Sequence, residues 1–294
     1  MCQVTGVTRS GYYRYLKTKD NKIDEKKDLK ELICKLFYRS RNTYGIRRIK
    51  KSLENVGVIV NRKAIAPIMK EEGLIPKTVK KYKATTNSKH NYPVHPNLIK
   101  GKLLYQPNQV WVSDITYVKT EEGWLYLAAI MDLFTKEIVG YAMNDRITKE
   151  IVIAALNHAI KKFKPKEGII LHSDRGVQYA SNEYQKLLKD NNMICSMSAK
   201  GNPYENGAME SFNATIKKEL ILPNGVYGTR EEARKEIFEY IELFYNKERI
   251  HSSISYATPY QFRIKAFDTI KNSYELKKMV VAKNAPARAL YSTI

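Results

Sequence analysis

From residue 109 to 143 apolar side chains recur at every second position, and two short stretches of turn-forming residues interrupt the pattern. A period of two makes strands. The turns at Glu121-Glu122-Gly123 and from Asp132 to Lys136 are short enough to join neighbours as hairpins. Strands are therefore expected over 109–119, 123–133 and 136–143. The period then changes. A helix is expected over 148–163, a buried strand over 169–173, a helix from Ser181 to Asn191, a strand over 193–198 and a helix from Glu205 to about Leu220. A last long helix starts at the capping box Thr229-Arg-Glu-Glu232 and carries Ile237, Ile241, Phe244 and Tyr245. Hairpin-linked strands followed by helix–strand alternation point to the α/β class, a mixed sheet flanked by helices.

On the first strand Val110, Val112, Asp114, Thr116 and Val118 share one face. Asp is depleted inside strands, so Asp114 needs water, a partner or a cation; an edge position facing water is the common explanation. Asp174 ends the apolar run that starts at Gly168. Alone it reads as a turn former, although strand ends of open sheets also bind ligands. In the helix after it, Phe212, Ile216 and Leu220 form the buried stripe, and Glu210, Asn213 and Lys217 fall on another face. Most such faces are solvated Glu–Lys surfaces. Fifty-nine residues separate Asp114 from Asp174, and thirty-five separate Asp174 from Glu210. Together the three are the candidate catalytic and metal-binding residues, because hard divalent cations take oxygen ligands and a pair of them can clamp both oxygens of a phosphodiester exchange. Asn213 and Lys217 are candidate DNA contacts. His172 and Asn206 are candidate hydrogen-bond supports, a packed neutral histidine accounting for His172 equally well. Asp132 reads as structural, and Glu121 and Glu122 as turn surface. The five histidines and three cysteines lack zinc-ligand spacing.

A formal charge of +21 favours a polyanionic partner, nucleic acid first. The charge is uneven: residues 1–105 hold 25 Lys and Arg against 8 Asp and Glu, the remainder 26 against 22. Within the basic third, Leu29, Leu32, Ile33, Leu36 and Phe37 predict a helix over 24–39. Two more follow, Tyr44–Leu53 and Val60–Leu74, the second capped by Asn61 and closed at Gly73. Arg47, Arg48, Lys50, Lys51, Arg62 and Lys63 are candidate DNA contacts on this helix-turn-helix. Pro67 removes a helical hydrogen bond, which predicts a bend there or a shorter helix. The expected organisation is a remnant of an upstream helix-turn-helix at 1–23, a helix-turn-helix DNA-binding domain at 24–75, a basic linker at 76–105, a catalytic core at 106–264 and a basic C-terminal tail at 265–294. Cys2, Cys34 and Cys195 show no pairing, no stretch reaches a membrane span and no secretory signal opens the chain, which predicts a cytoplasmic protein.

Trp111-Val-Ser-Asp114-Ile-Thr-Tyr117, His172-Ser-Asp174-Arg-Gly176-Val-Gln-Tyr179 and Gly201-Asn-Pro-Tyr-Glu-Asn-Gly-Ala-Met-Glu210-Ser-Phe-Asn213, in this order, resemble the core motifs of bacterial transposases of the insertion-sequence-three family, second-reading-frame type. That family shares its core with retroviral integrases. Tyr245-Asn246-Lys-Glu-Arg249-Ile-His251-Ser252 through Thr258-Pro259 resembles its signature after the core, and Tyr44-Gly-Ile-Arg-Arg-Ile49 with Asn61 to Leu74 resembles its helix-turn-helix. The resemblance implies a ribonuclease-H-like fold, Asp114, Asp174 and Glu210 as a DDE triad, and two Mg²⁺ or Mn²⁺ ions. It implies double-stranded DNA as partner, both terminal inverted repeats and target, in a nucleoid-associated bacterial protein that pairs ends as a homo-oligomer. It further implies that the active form is often a frameshifted fusion with an upstream-frame protein. The alternatives are a purely hydrolytic nuclease and a non-catalytic DNA-binding regulator of the fusion. Two departures stand out: Glu205 where Asp is usual, and Pro67 where the family continues its helix.

Overall fold

The computed structural model describes residues 6–77, 95–199 and 206–283, the side chains of 15–25 and 274–283 excepted. The chain divides into two compact units, Met1–Val79 and Lys80–Ile294.

In the first unit three helices pack on one another: α1 (Arg9–Arg39), α2 (Ile46–Asn55) and α3 (Arg62–Glu71). Their core is Ile33, Phe37, Ile49, Leu53, Ile65, Ile68 and Met69, all buried, with Leu29, Leu32 and Leu36 half-buried beside the predicted stripe. Gly57 and Gly73 follow α2 and α3 in the left-handed region, φ 84° and 61°. The Asn61 side chain accepts from Lys63 N at 3.0 Å as the cap of α3. Two expectations change here. Gly6 does turn, φ 66°, but α1 then runs unbroken through residue 23 where a boundary with an upstream helix-turn-helix was expected. Between Gly11 and Arg39 the chain holds neither Gly nor Pro to stop it. The second concerns α3, which spans Arg62–Glu71, shorter than the expected Val60–Leu74, and continues past Pro67. Pro67 and Lys63 are both exposed, so water can take the carbonyl that the proline leaves unbonded.

The second unit is built on five strands, β1 (Val110–Thr120), β2 (Gly123–Asp132), β3 (Ile138–Asn144), β4 (Ile170–Ser173) and β5 (Ile194–Met197), in the order β3-β2-β1-β4-β5. The hairpin-linked first three pair antiparallel, while β1–β4 and β4–β5 pair parallel. Helices α4 (Lys149–Phe163), α5 (Val177–Ala180) and α6 (Asn182–Asp190) cover one face around Trp111, Ala128, Ile130, Val139 and Leu171. The other face holds Val110, Val112, Val118, Leu125 and Leu127 under α7 (Gly207–Ile216) and α9 (Arg230–Glu239). Each of these two helices runs on into a π-helical stretch, Lys217–Ile221 after α7 and Tyr240–Tyr245 after α9, with the short α8 (Leu222–Asn224) between. Asp132 is structural as expected: it accepts from the N–H groups of Asn108, Phe134 and Thr135 and from the Thr135 hydroxyl.

Two flanking segments carry more structure than the sequence suggests. Of the expected linker, residues 78–94 fall outside the described residues, yet Pro96 and Leu98 hydrogen-bond to Met197 and Ser196 of β5, and Ile99 and Leu104 pack on the core. Residues 265–283 are not a loose tail but part of α10 (Pro259–Lys283). That helix is started by a capping box, Thr258 with Gln261, in which each side chain meets the other's backbone N–H. Lys277, Lys278 and Lys283 lie on it, whereas Arg288 lies outside the described residues. Among the described residues no helix is long and apolar enough to cross a membrane.

Gly140 marks the tightest contact between sheet and helix. A Cβ there would stand 2.5 Å from the Ala155 carbonyl oxygen and 2.6 Å from Ala159 Cβ. Both neighbours are fully buried, so β3 and α4 must part to admit a methyl. Gly140→Ala should therefore cost about 1–3 kcal/mol in urea unfolding. An unchanged midpoint would show that this contact is not tight.

Candidate active site

The register of β1 and β4 brings two of the carboxylates to one level. Val110 pairs with Ile170, Trp111 with Leu171 and Val112 with His172, an offset that also relates Asp114 to Asp174. Asp114 sits mid-strand because β1 continues its ladder with β2, where it faces Ala129. Asp174 lies just past the end of β4, its Oδ1 accepting the Gly176 N–H at 2.9 Å. A Cβ on Gly176 would come within 2.9 Å of that same oxygen, so glycine permits the turn.

Helix α7 brings the third. Met209, Phe212 and Ile216 bury one side of it in the core. Glu210 is exposed in its first turn, and Asn213 and Lys217 follow on the expected face. This face looks at Asp114. Asn213 Nδ2, read from the sequence as a DNA contact, donates to Asp114 Oδ2 at 2.8 Å. The Lys217 ammonium lies 4.4 Å from the ring centre of Tyr117; burial lowers its pKa, and Asp114 pulls it back up. Asn206, buried before α7, donates to the Ser113 carbonyl at 3.0 Å and ties the helix start to β1. His172 is fully buried and hydrogen-bonds Ser196 across the β4–β5 ladder, the packed alternative of the sequence reading.

Electrostatics centre on Asp114. Its pKa is raised to about 7, first by burial, then by the charge of Asp174, with Glu210 adding less. The Ile115 N–H and the Asn213 amide offset part of this. Glu210 is raised by burial alone, which puts it at the rim of the group. Asp114 is only half-buried by exposed surface, yet its carboxylate is enclosed enough for desolvation to lead. Among the described residues no three His, Cys, Asp or Glu side chains stand close enough together to hold a metal ion. The chemistry of the donors still suits one: three hard oxygen ligands whose mutual repulsion a divalent cation would relieve.

Of the basic candidates in the first unit, Arg47, Arg62 and Lys63 are exposed. Arg48 is half-buried, its guanidinium 5.6 Å from the Tyr44 ring centre. Lys50 and Lys51 do not stand free on an outward face, since both pair with Glu54, Lys51 at 3.0 Å.

Sequence reasoning missed a buried trio behind α7. Arg249 forks onto Glu219 with Nε at 2.8 Å and Nη2 at 2.7 Å, and the Tyr240 hydroxyl donates to the same carboxylate at 2.7 Å. Both charged residues are about 5% exposed. Glu219 follows Phe212 by seven residues and Ile216 by three, on the buried side of the helix, and the π-helical stretch buries Glu219, Leu220 and Ile221 in a row. Nearby, Asn246 uses both ends of its amide on the backbone of Ile138, standing in for a neighbour on β3. The residues of the trailing signature are thus supports of the sheet edge and of α7. The signature was visible in the sequence, but Glu219 gave no sign.

Models of known families match this chain in three places: an integrase core domain over residues 105–203, a second integrase core domain over 191–259 and an HTH-like domain over 23–82. The chain is 46% identical over 267 residues to the uncharacterized 31 kDa protein of insertion element IS600 from Shigella sonnei, covering 90% of this chain and 98% of that protein. It is 36% identical over 270 residues to the transposase InsF for insertion sequence IS3A of Escherichia coli strain K12, covering 90% and 93%. Among solved structures, the HTLV-2 integrase catalytic core domain in complex with magnesium is 21% identical, covers 54% of this chain and 97% of that one, and superposes with a TM-score of 0.41, too loosely to carry an argument. The sheet order, the helices on both faces and the integrase core matches make the second unit ribonuclease-H-like.

Two outcomes follow from this geometry. Asp114 has a raised carboxyl pKa, so the stability it lends is full below its ordinary value of 3.8 and is lost as pH rises through about 7. In a chelator, the unfolding free energy of Asp114→Asn relative to the parent should therefore climb between pH 4 and 7 and then level off, by an amount on the order of a few kcal/mol; a difference independent of pH would contradict the shift. Arg249→Ala strands a buried carboxylate and should cost about 3–5 kcal/mol in denaturant unfolding. A loss under about 1 kcal/mol would mean the pair is not desolvated.

Proposed function

Because the chain belongs to the insertion-sequence-three family of transposases, with an integrase core domain behind an HTH-like domain, we propose that it cuts DNA at the ends of an insertion element and joins the freed 3′-hydroxyl to target DNA. Asp114, Asp174 and Glu210 are the catalytic residues of this reading and would hold Mg²⁺ or Mn²⁺. Such ions, when bound, polarise the phosphodiester and sharpen the attacking oxygen. The observation that supports the assignment is the meeting of Asp174 and Glu210 charge on an Asp114 that Asn213 already holds.

The protein's own groups have distinct tasks. Asn213 fixes the Asp114 carboxylate so that it need not reorient when substrate arrives. Gly176 lets Asp174 turn back on its own backbone. Lys217, half-buried and poised near Asp114, neutralises phosphate beside the reacting bond. Asn206 and the Glu219–Arg249 pair keep α7, and with it Glu210, at a set distance from β1.

Recognition of the ends belongs to residues 24–75 in this proposal, and chemistry to 106–264. Arg47, Arg62 and Lys63 contact phosphate directly, joined by Arg48. Lys50 and Lys51 join by leaving Glu54, an ion pair that water already screens. Double-stranded DNA is the substrate, terminal repeats and target alike. Joining two ends calls for more than one copy, so we propose a homo-oligomer, with fusion to the upstream-frame protein as the route to the full assembly.

Asp114→Asn, Asp174→Asn and Glu210→Gln should each abolish metal-dependent nicking of a duplex that carries an element end, with binding to the same duplex kept within about threefold, because each change removes one negative charge and no cationic contact. Nicking retained by any one variant removes that residue from the set. Nicking without joined product would leave only a hydrolytic nuclease, and binding without nicking by the parent chain would leave a DNA-binding regulator.

A further inference from the structure

The sheet face around Trp111 and Ile130 loses its helical cover toward the β1–β2 hairpin. Trp111 and Ile130 are fully buried, Tyr117 and Tyr126 half-buried, and Trp124 is 46% exposed with Lys119 beside it. In the ladder Tyr117 faces Tyr126 and Lys119 faces Trp124, so all four side chains rise from one face. The rings of Tyr117 and Trp124 meet edge to face, centres 5.2 Å apart at 85°. The Lys217 ammonium lies against Tyr117, 4.4 Å from its ring centre. Arg230 donates to the carbonyls of Glu122 and Trp124, which steadies the backbone under the indole.

A cross-strand aromatic pair alone stabilises a hairpin by about 0.2–1 kcal/mol, and that could be its whole purpose. The company it keeps argues for more. One ring is presented to solvent on a rigid strand pair, Lys119 is its cross-strand neighbour, and the Lys217 ammonium lies on the Tyr117 ring that packs against it. An aromatic face edged by lysines suits a base and its phosphates. Bases within a duplex are already stacked and offer no face, so the ligand must be unpaired.

We propose that Trp124, backed by Tyr117, with Lys119 across the ladder and Lys217 against Tyr117, is a stacking site for an unpaired base of a DNA strand, on the sheet face opposite to the one that carries Asp114. The proposal rests on the DNA-processing reading above and adds to it a place for the frayed end. Stacking on Trp124 orients the strand, and the lysines take its phosphates.

The chain has two tryptophans, and only Trp124 is exposed, so its fluorescence reports the site. The full chain in a chelator is titrated with a short oligothymidylate and with a blunt duplex of equal length. The single strand should quench tryptophan emission in the parent but not in Trp124→Phe. Trp124→Ala should weaken oligothymidylate binding about tenfold, the loss of one stacked base, and duplex binding by less than about twofold. The salt dependence should not change, because no charge is removed. Trp124→Phe keeps a ring and should bind within about threefold of the parent. Unmoved emission, equal effects on both DNAs, parent-like binding by Trp124→Ala, or equal losses in the Ala and Phe variants would each overturn the proposal. None of these readings involves cleavage. Absent nicking would count against the transposase reading alone, and intact nicking with no quenching would count against the stacking site alone.

Discussion

The parallel pairing of β1 with β4 is the constraint on which the rest depends. It covers only three residues on each strand, yet it sets the level at which Asp114 and Asp174 meet. Because β4 stops while β1 continues, the edge of β1 beyond Val112 is left without a strand on that side. The carboxylates occupy that vacated edge, and α7 reaches across to it with Asn213. A longer β4 would have spent the same backbone on ladder hydrogen bonds. The site is thus made by ending a strand early as much as by placing acidic residues.

Burial and charge then oppose each other at Asp114. Its neighbours desolvate it and two further carboxylates push on it, so the ionised form is held at a cost. The uncharged Asn213 amide offsets a part of that cost. The Glu219–Arg249 pair behind α7 resolves the same conflict differently, with a buried fork that leaves neither charge alone.

Much of this was legible before any coordinates. Alternation located the three hairpin strands, the other two were expected at 169–173 and 193–198, and the stripe of Phe212, Ile216 and Leu220 oriented α7 so that Glu210, Asn213 and Lys217 faced away from the core. What a pattern of faces could not tell was what each polar face would meet. Asn213 meets Asp114, ninety-nine residues away, a partner that carries no local signal, and Lys50 and Lys51 pair with Glu54 one turn along their own helix. The helix beyond Pro259 was missed because its basic residues drew attention from the Thr258–Gln261 box that begins it. Glu219 lies on the apolar stripe of its helix, seven residues after Phe212, but Arg249, the partner that lets a carboxylate be buried there, is distant in sequence.

The wide turn at Lys217–Ile221 works as a phase shifter. Everything before it, Glu210 and Asn213 included, keeps the screw of an ordinary α-helix, while everything after it is rotated by the extra residue. Removing one residue there would restore the ordinary screw and swing the segment beyond it by about 100° without altering a single side chain of the acidic group. The acidic half of the helix and the segment beyond the turn are thereby separable: chain length in this one turn sets the direction of the second, and side-chain identity upstream sets the first.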